Sequence, residues 1–464
     1  MDRSGARIIF VCQQCGRESP KWLGRCPDCQ EWNSFVQTAA PRPSAPGKTQ
    51  AAGALPQELA QVTTERAPRL SLPLAEFNRV LGGGIVPGSL VLIGGDPGIG
   101  KSTLLLEVSA MATVGRGKVI YVSGEESLEQ IKLRADRLGI RGEGLYLLAE
   151  TDLEAIIGRI EELSPSLVTV DSIQTVCCED LAAAPGSVAQ VRECTLRLMR
   201  WAKANAVPVL IAGHVTKDGA IAGPRTLEHI VDVVLYLEGE PFSAYRLLRG
   251  VKNRYGSTNE VGIFEMRGQG LVEVDNPSQA FLSQRRAKAV GSVVVPSLEG
   301  TRPLMVEIQA LTTPTAFGLP RRTANGVDYG RLLLIAAVLS KRCGLALASQ
   351  DIIANAVGGL RVSEPAADLG IALAIASSFR NVGIEPDLAA VGEVGLSGEL
   401  RPVSQLERRL AEAARLGFKG CLAPRPTPAL AARDIEIIEV SDLGEALRRG
   451  LSSPRKVRAD RDEG

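Results

Sequence analysis

Residues 94–103 read Gly-Gly-Asp-Pro-Gly-Ile-Gly-Lys-Ser-Thr; the apolar run Leu90-Val91-Leu92-Ile93 precedes them and Leu104-Leu105-Leu106 follows as the start of a helical stretch. A strand that turns through a glycine-rich loop into a helix constrains the fold strongly. It calls for a buried strand, a helix behind it, and an open edge where backbone N–H groups wrap phosphates. Gly95 and Gly100 bracket four residues, Lys101 is placed to neutralise β- and γ-phosphate charge, and Ser102 to reach Mg²⁺. The expected nucleotide is ATP, and its expected contacts are Gly95, Asp96, Pro97, Gly98, Ile99, Gly100, Lys101, Ser102 and Thr103.

The surrounding pattern extends this architecture. Short apolar runs at 90–93, 119–122, 145–148, 167–170, 207–212 and 231–237 read as strands of a buried, mostly parallel sheet. Amphipathic stretches at 126–138, 153–163 and 188–205 read as helices between them, giving an α/β fold. At 464 residues the chain exceeds what one core supports. We expect a cysteine module over 1–36, an Ala/Pro-rich linker over 37–68, the nucleotide domain over 69–276, a further α/β domain over 277–451 and a charged tail over 452–464. In the fourth of these, over 277–451, alternation resumes at 289–295 and 304–311, and apolar helices are expected at 331–339 and 368–378.

Charge is balanced, with 53 Lys and Arg against 52 Asp and Glu, so any nucleic-acid contact must be local. No apolar stretch reaches membrane-spanning length and the first residues show no leader pattern, which points to a cytoplasmic protein without a membrane partner. Nine cysteines in that setting favour metal over disulfides. Cys12-x-x-Cys15 and Cys26-x-x-Cys29, ten residues apart, suit two knuckles closing a tetrahedral, structural Zn²⁺ site. Cys177, Cys178, Cys194, Cys343 and Cys421 read as packing residues.

Asp171 ends the run 167–170, where a Mg²⁺ ligand belongs. Glu125 and Glu126 follow the run 119–122; a carboxylate there can activate water, and Glu125 is the preferred base. Lys252 and Arg254 stand two apart on an expected strand, so both project from one face.

Together, Leu81-Gly82-Gly83-Gly84, Ser123-Gly124-Glu125-Glu126-Ser127 and Asp171-Ser172-Ile173-Gln174-Thr175 resemble the RecA-type P-loop ATPase core. Lys252-Asn253-Arg254-Tyr255-Gly256, with the four-cysteine module ahead of such a core, resembles the bacterial RadA (Sms) family of DNA repair proteins. That resemblance implies a homo-oligomeric ring, taken as a hexamer, that hydrolyses ATP while acting on single-stranded and branched DNA beside the RecA recombinase. It further implies that Arg254, with Lys252, completes the neighbouring subunit's site. Gln174 and His214 become candidate γ-phosphate sensors, and the loops at 178–188 and 217–225 candidate DNA grips, with Lys217 and Arg225 as phosphate contacts. The core is shared with nucleotide-gated signalling ATPases such as KaiC, so a scaffold reading stands as the alternative.

Residues 361–370 and 392–403 resemble the proteolytic domain of Lon. Such cleavage needs a serine activated by a lysine. The matching positions hold Ala366 and Glu407, so the resemblance implies a scaffold without proteolysis. Arg408 and Arg409 read either as DNA contacts or as a solvated helix face.

Overall fold

The computed structural model describes residues 8–12, 17–27, 30, 32–39, 58, 68–114, 117–181, 183–214, 227–239, 243–282, 286, 288–316, 318–359, 361–425 and 434–451. The chain divides into two compact units, Met1–Gly239 with Arg246–Glu273, and Glu240–Tyr245 with Val274–Gly464.

In the first unit nine strands form one sheet. Their order is Gly270–Glu273, Val261–Arg267, Tyr245–Asn253, Val233–Glu238, Leu90–Gly95, Val209–His214, Leu167–Asp171, Val119–Ser123 and Leu145–Ala149. The last six run parallel. Tyr245–Asn253 adds antiparallel to Val233–Glu238, and the first two strands of the order form an antiparallel pair. Leu90–Gly95 is buried throughout because both faces are covered. Val91 and Ile93 pack with the helices Lys101–Ala112 and Leu128–Arg137, whereas Leu90 and Leu92 pack with Leu153–Leu163 and Val188–Asn205. That division is the two-residue alternation of a strand.

Side-chain caps set where the helices begin. The stretch expected to be helical from 126 starts at Leu128, because Ser127 accepts from the Gln130 N–H while the Gln130 side chain accepts from the Ser127 N–H. Asp152 and Ser187 cap the next two helices in the simpler way. The strand expected from 207 begins at Val209, after Pro208, which has no N–H to give to a ladder.

Near the chain start, Ile8–Cys12 lies between Glu18–Ser19 and Phe35–Ala39 in a three-stranded antiparallel sheet. Its core is small: Cys12, Cys26 and Phe35, with Phe10 and Leu23 against them.

The second unit holds a seven-stranded mixed sheet ordered Arg322–Asn325, Gln350–Ala356, Arg302–Pro314, Ser292–Glu299, Leu388–Ala390, Gly420–Ala423 and Glu436–Glu439. The helix Asp368–Arg380 is buried from Asp368 to Ser377, hence its nearly continuous apolar sequence. Among the described residues no helix is long and apolar enough to cross a membrane.

Candidate functional site

The carboxyl ends of the parallel strands open on one edge, where ligands bind in sheets of this kind. Register aligns Gly95 with His214 and Ser123 with Asp171, so the glycine-rich loop, His214, Asp171 and the loop of Glu125 share that edge. Val209–His214 sits between the loop strand and the Asp171 strand.

Packing as well as conformation demands glycine in the loop. Gly95 and Gly100 have φ of 153° and 114°. A Cβ would lie 2.5 Å from the Leu237 carbonyl oxygen at Gly95, and 2.5 Å from Met266 Cε at Gly100. Gly100 caps the helix Lys101–Ala112 without a side chain, which leaves the first-turn N–H groups to an anion. Lys101 is 4% exposed, and its Nζ donates to the carbonyls of Gly95 at 2.8 Å and Asp96 at 3.0 Å. Burial lowers its pKa, while the charges of Asp171, Asp96 and Glu125 oppose the shift. Three carboxylates therefore lie within electrostatic reach of one ammonium. Ser102 follows it in the first helical turn.

Asp171 is buried, and Tyr121 Oη donates to its Oδ2 at 2.6 Å. Burial, then the Asp171 charge, push the Tyr121 phenol well above 10, so it remains a donor. The oxygen donors of Asp171 and Ser102 suit Mg²⁺. Beyond the strand, Ser172 Oγ donates to Glu125 Oε1 at 2.6 Å. Glu126 instead pairs with Arg134. Gln174 is half-buried in the turn that follows.

After this turn, Gln190 fixes the path of the chain. Its Oε1 accepts from the Cys178 N–H at 2.9 Å, and its Nε2 reaches the carbonyls of Cys178, Leu181 and Ala183, each at 3.0 Å. The backbone at Cys178, Leu181 and Ala183 is thus held from outside. Lys217 and Arg225 lie outside the described residues.

The 252–256 segment stands at the far end of the sheet. Arg254 N donates to the Asp232 carbonyl, and Asp232 in turn bonds both backbone groups of Leu90. Leu90 begins the strand whose last residue is Gly95. Five residues of strand, about 16 Å, therefore separate this level from the chain's own phosphate loop. Asp232 is 1% exposed and holds Arg254 at 3.2 Å and Lys203 at 3.3 Å. Lys252 Nζ donates to the carbonyls of Glu228 and Val231. Arg69 joins two motifs, donating to the carbonyls of Leu81, Gly82 and Tyr255.

In the small antiparallel module Cys12 and Cys26 are each 1% exposed in one core, and Cys12 Sγ donates to Ser34 Oγ at 3.2 Å. Two buried thiols fit the soft-donor set of structural Zn²⁺. Cys15 and Cys29 lie outside the described residues, and among the described residues no group of three or more His, Cys, Asp or Glu is placed for a metal. Cys178 and Cys194, expected as packing residues, are buried with their sulfurs 3.4 Å apart.

In the second unit Ala366 is buried and Glu407 exposed, and neither offers a hydroxyl or an amine. Arg409 corrects the DNA-contact expectation. It is 1% exposed, forked onto Glu364 at 2.8 and 2.7 Å, and bonded to the carbonyls of Pro296 and Ser404. Its face of the helix Leu406–Arg415 turns inward. Arg408, one position earlier, is exposed.

Sequence reasoning missed Tyr121, Ser172, Gln190, Asp232 and Arg69. Asp232 carried one signal, a carboxylate inside the apolar run 230–235, since a buried charge needs partners. The others are joined to their partners only by the fold.

Family models match residues 10–37 as a rubredoxin metal binding domain, 56–220 as an AAA domain and 331–427 as subunit ChlI of Mg-chelatase. ATP with Mg²⁺ and structural zinc are the cofactors of these domains, and the chain combines an N-terminal zinc ribbon, a P-loop ATPase core and a ChlI/Lon-like domain. DNA repair protein RadA of Bacillus subtilis is 54% identical over 95% of this chain and 98% of its own. Its namesake in Halalkalibacterium halodurans is 55% identical over 94% and 97%, and that of Listeria monocytogenes 52% over 95% and 98%. With identity of this extent running across all three domains, the chain belongs to the DNA repair protein RadA family and is a DNA repair ATPase.

Proposed function

We propose that the protein assembles as a homohexameric ring in the cytoplasm and couples ATP hydrolysis to movement along single-stranded DNA and at DNA branches, in recombinational repair beside the RecA recombinase. Residues 95–103 bind the triphosphate, Ser102 and Asp171 hold Mg²⁺, and Glu125 takes the proton of the attacking water. Bound Mg²⁺ offsets charge on the β- and γ-phosphate oxygens. Gln174 and His214 respond to the γ-phosphate. Lys217 and Arg225 meet DNA phosphates in a sequence-tolerant way. Cys12, Cys15, Cys26 and Cys29 hold the structural zinc, and the domain over 277–451 serves as a scaffold without proteolysis.

One observation carries the ring reading. Arg254 stands about 16 Å of strand away from its own phosphate loop, so a γ-phosphate that it meets belongs to a neighbouring subunit, with Lys252 beside it. Unwinding of a branched duplex bearing a single-stranded arm tests the motor. Native protein is expected to unwind it with ATP and Lys101→Ala to fail, because the substitution removes the ammonium facing the triphosphate. Equal unwinding by both refutes the proposal.

A further inference from the structure

Two loops that the sequence keeps nearly fifty residues apart are interlocked beside the phosphate loop. Gly124 N donates to the Asp171 carbonyl at 3.3 Å. A Cβ on Gly124 would sit 2.2 Å from Thr175 Oγ1 and 2.7 Å from Thr175 Cβ, so only glycine permits this approach. Thr175 Oγ1 in turn donates to the Ser172 carbonyl at 2.8 Å, which fixes the turn that carries Ser172. Ser172 is 0% exposed, and its one hydroxyl proton goes to Glu125 Oε1 at 2.6 Å. Glu125 itself is exposed, on a loop with few apolar anchors. A short bond to a carboxylate from a buried hydroxyl is among the stronger neutral-donor bonds available.

We propose that Ser172 is a positioning residue for ATP hydrolysis, its hydroxyl holding the Glu125 carboxylate in the orientation that receives the proton of water. The inference rests on the reading of Glu125 as the base. Ser172 is buried out of reach of solvent and acts through Glu125. A carboxylate base held by a buried hydroxyl is fixed in orientation, and misorientation of such a group lowers turnover without touching ground-state binding.

The test uses the full-length chain with Mg-ATP and single-stranded DNA. Ser172→Ala is expected to lower kcat roughly 10–100-fold, the value of one bond to a charged group, with KM for ATP unchanged. In the Glu125→Gln background the same substitution should add no further loss. Ser172→Cys keeps the volume with a weaker donor and should fall between, which covers the case where alanine perturbs folding. An unchanged or raised kcat, a loss expressed in KM, or losses that multiply in the double variant overturn the role of Ser172. Native turnover in Glu125→Gln alone overturns the base reading instead, so the two failures are separable.

Discussion

If Arg254 completes a neighbour's site, two inactive variants should repair each other, and the yield can be worked out. Arg254→Ala removes the finger, and Lys101→Ala removes the ammonium at the loop. Each alone is expected to lose turnover, the first by about 10³–10⁵ where fingers of this kind act. In a ring built head to tail, an active boundary needs Lys101 from one chain and Arg254 from the next. At a fraction f of Arg254→Ala chains, random assembly gives f(1−f) intact boundaries, which peaks at about one quarter in an equal mixture of a heterologous ring. Loss of Arg254 does not orphan the buried Asp232, because Leu90 N at 3.1 Å and Lys203 at 3.3 Å remain as partners. Arg254→Ala should therefore fold and bind ATP. The assay is steady-state hydrolysis by co-expressed, differently tagged chains over a series of ratios. Activity should rise from both ends to a maximum near equal proportions, below one quarter if sites fire cooperatively. A flat baseline at every ratio, with mixed rings demonstrated by the tags, refutes trans completion.

Two further outcomes concern stability. Burial raises Glu107, half-buried on the loop helix, from 4.5 to about 7, against the lowering effect of the Leu271 N–H. Below about pH 4.5 the group is protonated in both states and costs nothing; between there and pH 7 the unfolded chain ionises first, so stability falls as pH rises. The full shift is worth about 3.4 kcal/mol, which solvent screening of a half-exposed group cuts to roughly 1–2 kcal/mol. Glu107→Gln should raise the unfolding temperature of this unit by a few degrees at pH 8 and not at pH 4.5, by calorimetry; an equal gain at both refutes it. In the second unit, Arg409→Met strands the Glu364 carboxylate and is expected to cost about 3–5 kcal/mol, whereas adding Glu364→Gln should recover part of it in thermal unfolding. A double variant no better than the single one contradicts the ion-pair account.

The architecture was legible wherever burial writes a pattern. Five parallel strands largely covered on both faces, and the partly exposed edge strand Leu145–Ala149, appear as six apolar runs, and the phosphate loop declares itself because few backbones other than a glycine turn admit a polyanion. Relations between distant segments were not legible. The pairing of Ser172 with Glu125, or of Asp232 with Arg254, arises from sheet register, which local sequence does not encode. Arg409 shows the complementary failure. A pair of arginines on an amphipathic helix looks alike from the sequence, and only a carboxylate arriving from residue 364 draws one of them inward.

The carboxamide of Gln190 holds the backbone of Cys178, Leu181 and Ala183 without belonging to their segment. Their backbone is in effect templated by a helix, so the exposed Glu179 side chain is spared the task of folding and remains at liberty to specialise. Charge or aromatic character could be exchanged at this one position, in evolution or by design, while the shape of the segment persists.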